Sequence, residues 1–330
     1  MKNTFKLLFL ISSILNVVLL STSIVVQATE SERDDHLSLL TLNLHTYQEF
    51  STPGKKEAQL NEQDALQRVR DHGPLFDKIA NAIIKLNIDV VCLQEVGEWK
   101  NHSDNSFGKH KSNAALQIIQ RLRGEDYYVY MDWSHYGWDV WKEGSAIISR
   151  LPILSAESKY ISKKNNGTKN FWQSRNVIKA QLKLNDSVNL NVFSVHAGWW
   201  DSEIEPFQEQ YEHLQRWVKT STKLDEVTIL CGDFNQPAAE KGYQLMTGSG
   251  GYVDLYLKAN PTGMYDKTVE GNIAGWERDE KGTRIDYFLM NSTSSLKVVQ
   301  SQRIFTEKLF GRVSDHLGIY VQLNLDINQD

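Results

Sequence analysis

Six short stretches of this 330-residue chain end or begin an apolar run on a residue able to hold a cation or move a proton. LTLNLH ends its run at Asn43, VVCLQEV delivers Glu95 after Val90–Leu93, and VFSVHAGWW delivers His196. ILCGDFN carries Asp233 and Asn235, RIDYFLM carries Asp286, and GRVSDHLGIYV sets Asp315 and His316 just before a last apolar run. Alternation along an extended chain puts Asp233 and Asn235 on one face. Each stretch alone also reads as a strand running into a turn, where Gly, Asp and Asn are favoured. Six such features, all Asn, Asp, Glu or His, are hard to explain as independent turns. Strand ends are where packed sheets expose side chains to a shared cleft.

The residue types point to one chemistry. Oxygen donors with one or two carboxylates suit Mg²⁺, or Mn²⁺, which keep positions open for water and phosphate. Such an ion acts as a Lewis acid on a phosphoryl oxygen. Two histidines can stabilise equatorial oxygens or assist the leaving group, and a nearby Asp can orient and deprotonate a water. No serine nucleophile motif or glycine-rich phosphate loop is visible, which favours direct attack by water over a covalent intermediate. No Cys/His spacing suggests a zinc site.

Strand-like and helix-like runs alternate in a way that can position these residues. Strands are expected at residues 37–44, 88–93, 145–149, 177–184, 190–195, 227–231, 285–290 and 318–325. Helical stripes run through Phe76, Ile79, Ala80 and Ile83, and through Ala115, Ile118, Ile119 and Leu122. Pro206 opens a third helix, with Phe207, Tyr211, Leu214 and Val218 on its apolar face. The polar segment Glu49–Pro74 reads as an insertion. The pattern is α/β, with enough strands for two sheets.

At the N-terminus, Lys2 and Lys6 precede an apolar run from Leu7 to about Leu20, and Val26-Gln27-Ala28 offers a cleavage site. Residues 1–28 therefore read as a secretory signal peptide, with an uncleaved anchor as the alternative. Residues 29–330 then form a single catalytic domain, secreted or held at the cell surface. Removing the leader leaves 34 basic and 41 acidic residues, a net charge of −7, which gives no encouragement to a stable nucleic-acid partner. Export permits a disulfide between the two cysteines, Cys92 and Cys231, but thiols inside apolar strands are more often simply buried.

The set LTLNLH, VVCLQEV, SVHAGWW, GDFNQPA, RIDYFLM and SDHLGIYV resembles the endonuclease/exonuclease/phosphatase superfamily over roughly residues 37–325. That resemblance implies a four-layer α/β sandwich: two central, mainly antiparallel β-sheets packed face to face, with helices outside. It also implies a divalent-metal-dependent phosphoester hydrolase. By matching positions, Asn43, Glu95 and Asp315 would surround the metal, and Asp233 would position or activate water. Asn235 would contact phosphoryl oxygens, His196 and His316 would face the phosphate, and Asp286 would orient His316. Arg175 matches a phosphate-binding arginine, though it also reads as a surface ion-pair partner.

Finer features, NLHTYQE, VHAGWWDSEIEPFQEQ and NIAGWERDEKGTRIDY, resemble the branch holding bacterial maltose 6'-phosphate phosphatase and the RgfB-like surface proteins. The resemblance implies a phosphatase acting on a small phosphorylated substrate such as a sugar phosphate. Trp199, Trp200 and Trp276 flank the expected site, the first two as a wall or platform for a sugar ring, and Glu143 is a weak candidate to support His196. The aromatic stretch 127–141 reads as packing, or as a membrane-facing loop if the enzyme is a sphingomyelinase-like phosphodiesterase. A secreted nuclease and a non-catalytic binding module on the same scaffold complete the alternatives.

Overall fold

The apolar runs alternate with period two yet are buried on both faces, so every central strand needs a packing layer on each side. A computed structural model describes residues 36–100, 111–122, 126–163, 169–185, 188–223, 226–269 and 283–325. The expected leader and Trp276 lie outside the described residues.

One sheet is built from β1 (His36–Asn43), β2 (Val90–Trp99), β3 (Tyr128–Gly137), β4 (Trp141–Ser149), β11 (Lys297–Ile304) and β12 (Gly318–Asn324). Its order is β11-β12-β1-β2-β4-β3. The other comprises β5 (Ile153–Tyr160), β6 (Asn176–Lys183), β7 (Asn189–His196), β8 (Val227–Asp233), β9 (Tyr252–Asp254) and β10 (Asp286–Asn291). Its order is β5-β6-β7-β8-β10-β9. Each sheet contains one parallel pair, β1 with β2 and β7 with β8, at its centre; the other pairs are antiparallel.

Alternation sorts the side chains into layers. Leu37 and Leu39 of β1 meet Ile229 and Cys231 of β8 in a core between the sheets. Leu40 and Leu42 point outward and pack on Phe76, Ile79 and Ile83 of α1 (Glu62–Lys85), beside α2 (Ala114–Ile119). On the far side Phe193, Leu230 and Leu289 pack on Phe207, Tyr211 and Leu214 of α3 (Phe207–Ser221). The result is the expected four-layer sandwich. Cys92 and Cys231 both lie in the inter-sheet core as free thiols, and the Cys231 thiol donates to the Phe193 carbonyl at 3.4 Å.

Sequence periodicity missed four strands, β3, β5, β9 and β11, and these are the four edge strands. Edges are paired on one side only and carry mixed, half-buried residues, so they make no apolar run. The expected insertion Glu49–Pro74 is also corrected: from Glu62 onward it is the first half of α1. Asn61 caps that helix, its side-chain oxygen accepting from the N–H groups of Gln63 and Asp64 while its own N–H donates to Asp64. The polar reading failed because α1 buries Arg68 and His72, which no apolar count would place inside, and because Pro74 lies within the helix. Arg68 is anchored by Glu57 at 2.7 Å and by the Tyr47 carbonyl at 2.6 Å.

His72 sits against the rings of Tyr47, Phe50 and Phe76, with Nδ1 at 2.8 Å from the Arg68 carbonyl. Burial lowers its pKa from 6.5 to about 4. Between those values the unfolded chain binds the proton more readily, so stability present above pH 6.5 is lost as pH falls toward 4. The loss from this residue is about 3 kcal/mol at most. Urea unfolding from pH 7 to pH 4 should therefore show a shallower decline in a His72→Leu variant than in the parent.

Candidate active site

The parallel pairs decide where the polar strand ends go. In β1 and β2, and again in β7 and β8, both strands of the pair run toward the same edge of their sheet. β10 and β12 run antiparallel to β8 and β1, so they start where those strands finish. Asp286 is thereby the Cα partner of Asp233, and His196 is its partner from the other side. The Asp315-His316 loop enters β12 beside the end of β1, where the Ser314 hydroxyl donates to the Asn43 carbonyl at 2.7 Å.

Two local distortions complete the arrangement. Simple alternation in β2 would turn Glu95 outward, toward the α1 layer, after Leu93 and Gln94. A bulge between Leu93 and Val96 inserts one residue, with Glu95 in the left-handed region at φ 48°, and returns Val96 to the outer core. Gln94 meanwhile donates to the Ser194 hydroxyl at 2.9 Å, linking β2 to β7. In β8, Gly232 adopts φ 136°, and a Cβ there would lie 2.0 Å from the Val195 carbonyl oxygen. Beyond it Phe234 is buried in the α3-side core while Asp233 and Asn235 share the opposite side. The Asn235 N–H donates to Asp233 at 2.8 Å, and the Asn235 amide donates to the Ala197 carbonyl at 3.0 Å. Gly232→Ala should cost at least about 3 kcal/mol, seen as a large fall in Tm or as loss of soluble protein.

The side chains then converge. Asn43 donates from Nδ2 to Glu95 at 2.9 Å and to Asp233 at 3.1 Å, while its own oxygen accepts the His45 N–H at 3.0 Å. It thus ties two carboxylates together with its amide hydrogens. His196 Nε2 stands 3.8 Å from both Glu95 and Asp233, and His316 Nε2 stands 3.8 Å from Asp233. Asp286 receives the His316 Nδ1–H at 2.9 Å, which leaves Nε2 facing inward. Asp315 lies 3.5 Å from His45 Nδ1, and its N–H donates to Glu49 at 2.9 Å.

Burial and mutual charge set the protonation states. Burial raises the Asp233 carboxyl to about 7, against the opposing pull of His316. Burial likewise raises Glu95, helped by the charges of Glu143 and Asp315. For His316 burial works downward, but Asp286 and Asp233 overcome it and hold the imidazolium well above its usual range. His196 is driven well below, by burial and then by the positive charges of Arg175, His135 and His316. The two imidazoles on either side of Asp233 are therefore pushed in opposite directions.

A cleft of about 600 Å³ opens over this centre. Arg175 lines it although only 4 % exposed, and among the described residues its Nε has no hydrogen-bond partner. Trp199 also lines the cleft, with the Arg175 guanidinium 5.9 Å from its ring. Trp200 does not: it packs on Phe207 beside the α3-side core, because the chain leaves strand geometry after His196 and the alternation that would set Trp200 on the same side as His196 is lost. Sequence reasoning missed His45, Glu49, His135, Trp138 and Trp172. His135 Nε2 contacts Glu143 at 3.2 Å and its Nδ1 lies 3.2 Å from the Ser174 carbonyl. Only the hairpin on which His135 and Glu143 sit, invisible in the apolar pattern, brings them there.

Comparison with known proteins settles the ancestry. A model described as "Endonuclease/Exonuclease/phosphatase family" matches residues 61–316. The chain belongs to this family. No curated protein matches it. Among solved structures, an endonuclease/exonuclease/phosphatase family protein from Leptotrichia buccalis is similar at 25% identity and TM-score 0.69, covering 87% of this chain and 99% of that one. A Bacteroides thetaiotaomicron mannosyl-6-phosphatase shares the fold at 18% identity and TM-score 0.55, over 87% and 99% of the two chains. So does D. rerio TDP2 in complex with a single-strand DNA product, at 18% identity and TM-score 0.54, over 88% and 100%.

As a member of this family the protein is a metal-dependent phosphoester hydrolase. Its residues fit a divalent cation. Ligand atoms of Glu95, Glu143 and His196 lie within 4.8 Å of one another, as do those of His45, Glu49 and Asp315 and those of Asp233, Asp286 and His316. Glu95 is half-buried near other carboxylates that raise its pKa, the strain an oxygen-coordinated cation relieves. Millimolar Mg²⁺ or Mn²⁺ added to EDTA-treated protein should raise Tm by roughly 5 °C. Differential scanning calorimetry of Glu95→Gln should show less than half that rise.

Proposed function

We propose that this hydrolase is an exported phosphatase of a small organic phosphate such as a sugar phosphate, using Mg²⁺ or Mn²⁺. The observation that carries the reading is Arg175, a buried guanidinium with an unpartnered Nε lining a cleft of about 600 Å³ beside two histidines. A buried guanidinium with donor capacity to spare suits a compact anion. Glu95 and Asp315 would hold the cation, with Asn43 fixing the carboxylates of Glu95 and Asp233. When bound, the cation supplies Lewis acidity toward a phosphoryl oxygen.

The chain's own groups do the rest. Asp233, its pKa raised to about 7, accepts the proton of a water that it orients against phosphorus. Arg175, Asn235 and His196 bind the phosphoryl oxygens, His196 as a neutral imidazole. His316, charged and aimed by Asp286, faces the same group and balances the charge that builds as the ester bond breaks. The net charge of −7 after leader removal disfavours a polynucleotide substrate, which needs cationic surface along its backbone. The shared fold of a mannosyl-6-phosphatase keeps sugar monoesters within this scaffold's reach, and that of TDP2 does the same for diesters. The leader at residues 1–28 supports release outside the cytosol, so the substrate is one met there.

A phosphate-release screen of sugar phosphates, nucleotides and lipid phosphates, run with and without EDTA, tests the proposal. Metal-dependent turnover of monoesters over diesters is expected. Glu95→Ala and His316→Ala should each lower kcat by at least about 100-fold with unchanged circular dichroism. Wild-type turnover in either variant would sink the assignment of the site.

A further inference from the structure

Two tryptophans at the outer wall of the cleft are about half exposed. β3 and β4 are joined by a tight turn in which Trp138 and Asp139 both occupy the left-handed region, at φ 48° and 61°. Such turns favour Gly, Asn and Asp, and a bulky aromatic there is strained. Trp138 is nevertheless 49% exposed, so burial does not compensate the strain. Trp172, in the segment leading to β6, is 54% exposed and lies 6.0 Å from Trp199, which in turn overlies Arg175. All three indoles line the same cleft as the reactive groups. Gln48 and Asn170 line it too, and no side-chain hydrogen bond to either is formed among the described residues.

We propose that Trp138 and Trp172 form a carbohydrate subsite, holding the ring of a phosphorylated sugar while its phosphate rests against Arg175, His196 and His316. This rests on the phosphatase reading and names the residues that set its specificity. A pyranose presents an apolar C–H face and a rim of hydroxyls. Recognising it takes an exposed aromatic plane next to donors and acceptors with spare capacity, and that is the composition of this outer wall. A nucleobase would also stack on the indoles and pair with the two amides, so a nucleoside monophosphate is the competing ligand that the test separates. A lipid surface would favour apolar neighbours, whereas Trp138 adjoins Asp139 and the cleft wall also carries His135, Gln48 and Asn170. The wall lies on the hairpin tip and the loop before β6, whose last residue is Arg175, and the other phosphate-facing groups lie at the ends of central strands.

The test compares a hexose 6-phosphate with glycerol phosphate, which carries hydroxyls but no ring, on the full mature enzyme with Mn²⁺. Trp172→Ala and Trp138→Asn should each raise KM for the hexose phosphate roughly tenfold, with kcat changed less than about threefold. KM for glycerol phosphate should move less than about twofold. Asn suits the left-handed turn, so Trp138→Asn should keep or raise Tm while losing the sugar, an outcome a purely structural tryptophan would not give. Trp172→Phe should restore most of the affinity. Equal KM changes for both phosphates would overturn the subsite, as would a KM effect confined to nucleoside monophosphates or binding of the parent to neutral phosphatidylcholine vesicles that both substitutions abolish. If the parent hydrolyses neither phosphate, the phosphatase reading itself fails, independently of the tryptophans.

Discussion

Like charges gathered in a dry place repel, and everything at this edge of the molecule is arranged around that fact. Glu95, Glu143, Asp233 and Asp315 line one cleft, and burial makes the first and third costly to ionise. His316, His135, His45 and Arg175 offset only part of that repulsion. The carboxylates stay because the two sheets are locked by an apolar core of β-branched and leucine side chains that cannot slide without opening voids. The hydrogen bond from Asn43 to Asp233 then spans the two sheets at the rim and that to Glu95 ties β1 to β2, with Gln94 to Ser194 spanning the sheets one layer deeper. A cation is the natural counterweight to such a cluster, and the family's dependence on one follows from this electrostatics.

Support for the reactive groups extends well behind them. Asp286 begins β10, and just before it Arg284 is fully buried, paired with Asp254 at 2.7 Å and surrounded by the rings of Tyr243, Tyr256 and Tyr287. The guanidinium is satisfied by charge, by hydrogen bonds and by aromatic faces, which fixes where β10 starts. Tyr287 extends the same bracing, its hydroxyl lying 2.7 Å from the Gln236 carbonyl and 2.6 Å from the Arg284 carbonyl. Through this chain of contacts the orientation of His316 depends on residues that never touch the cleft.

What could be read from sequence follows from which residues announce themselves. Central strands are apolar on both faces, so their ends stood out, and Asn43, His196, Asp233 and Asn235 with them. Edge strands are not, so β3 and the start of β4 read only as an aromatic run, and His135 and Trp138 went unseen with them. The bulge that aims Glu95 leaves no composition signal, because a glutamate in the left-handed region looks like any other. The polar start of α1 hid a helix whose buried groups are an arginine and a histidine. Trp200 sits next to Trp199 in the chain but on the other side of it in space, a distinction that needs the backbone after β7 rather than the sequence.

The placement of the one parallel pair at the middle of each sheet has a consequence for how such a protein can change. The groups that break the ester bond are mounted on the central strands β1, β2, β7 and β8 and at the entries to their neighbours β10 and β12, strands least free to vary since they are sandwiched on both faces. The groups that meet the rest of the substrate sit on a hairpin tip and a connecting loop, whose replacement disturbs no core. Invention of new specificities on this frame is therefore cheap, while invention of new chemistry is not. A lineage built this way would diversify in what it recognises long before it altered what it does.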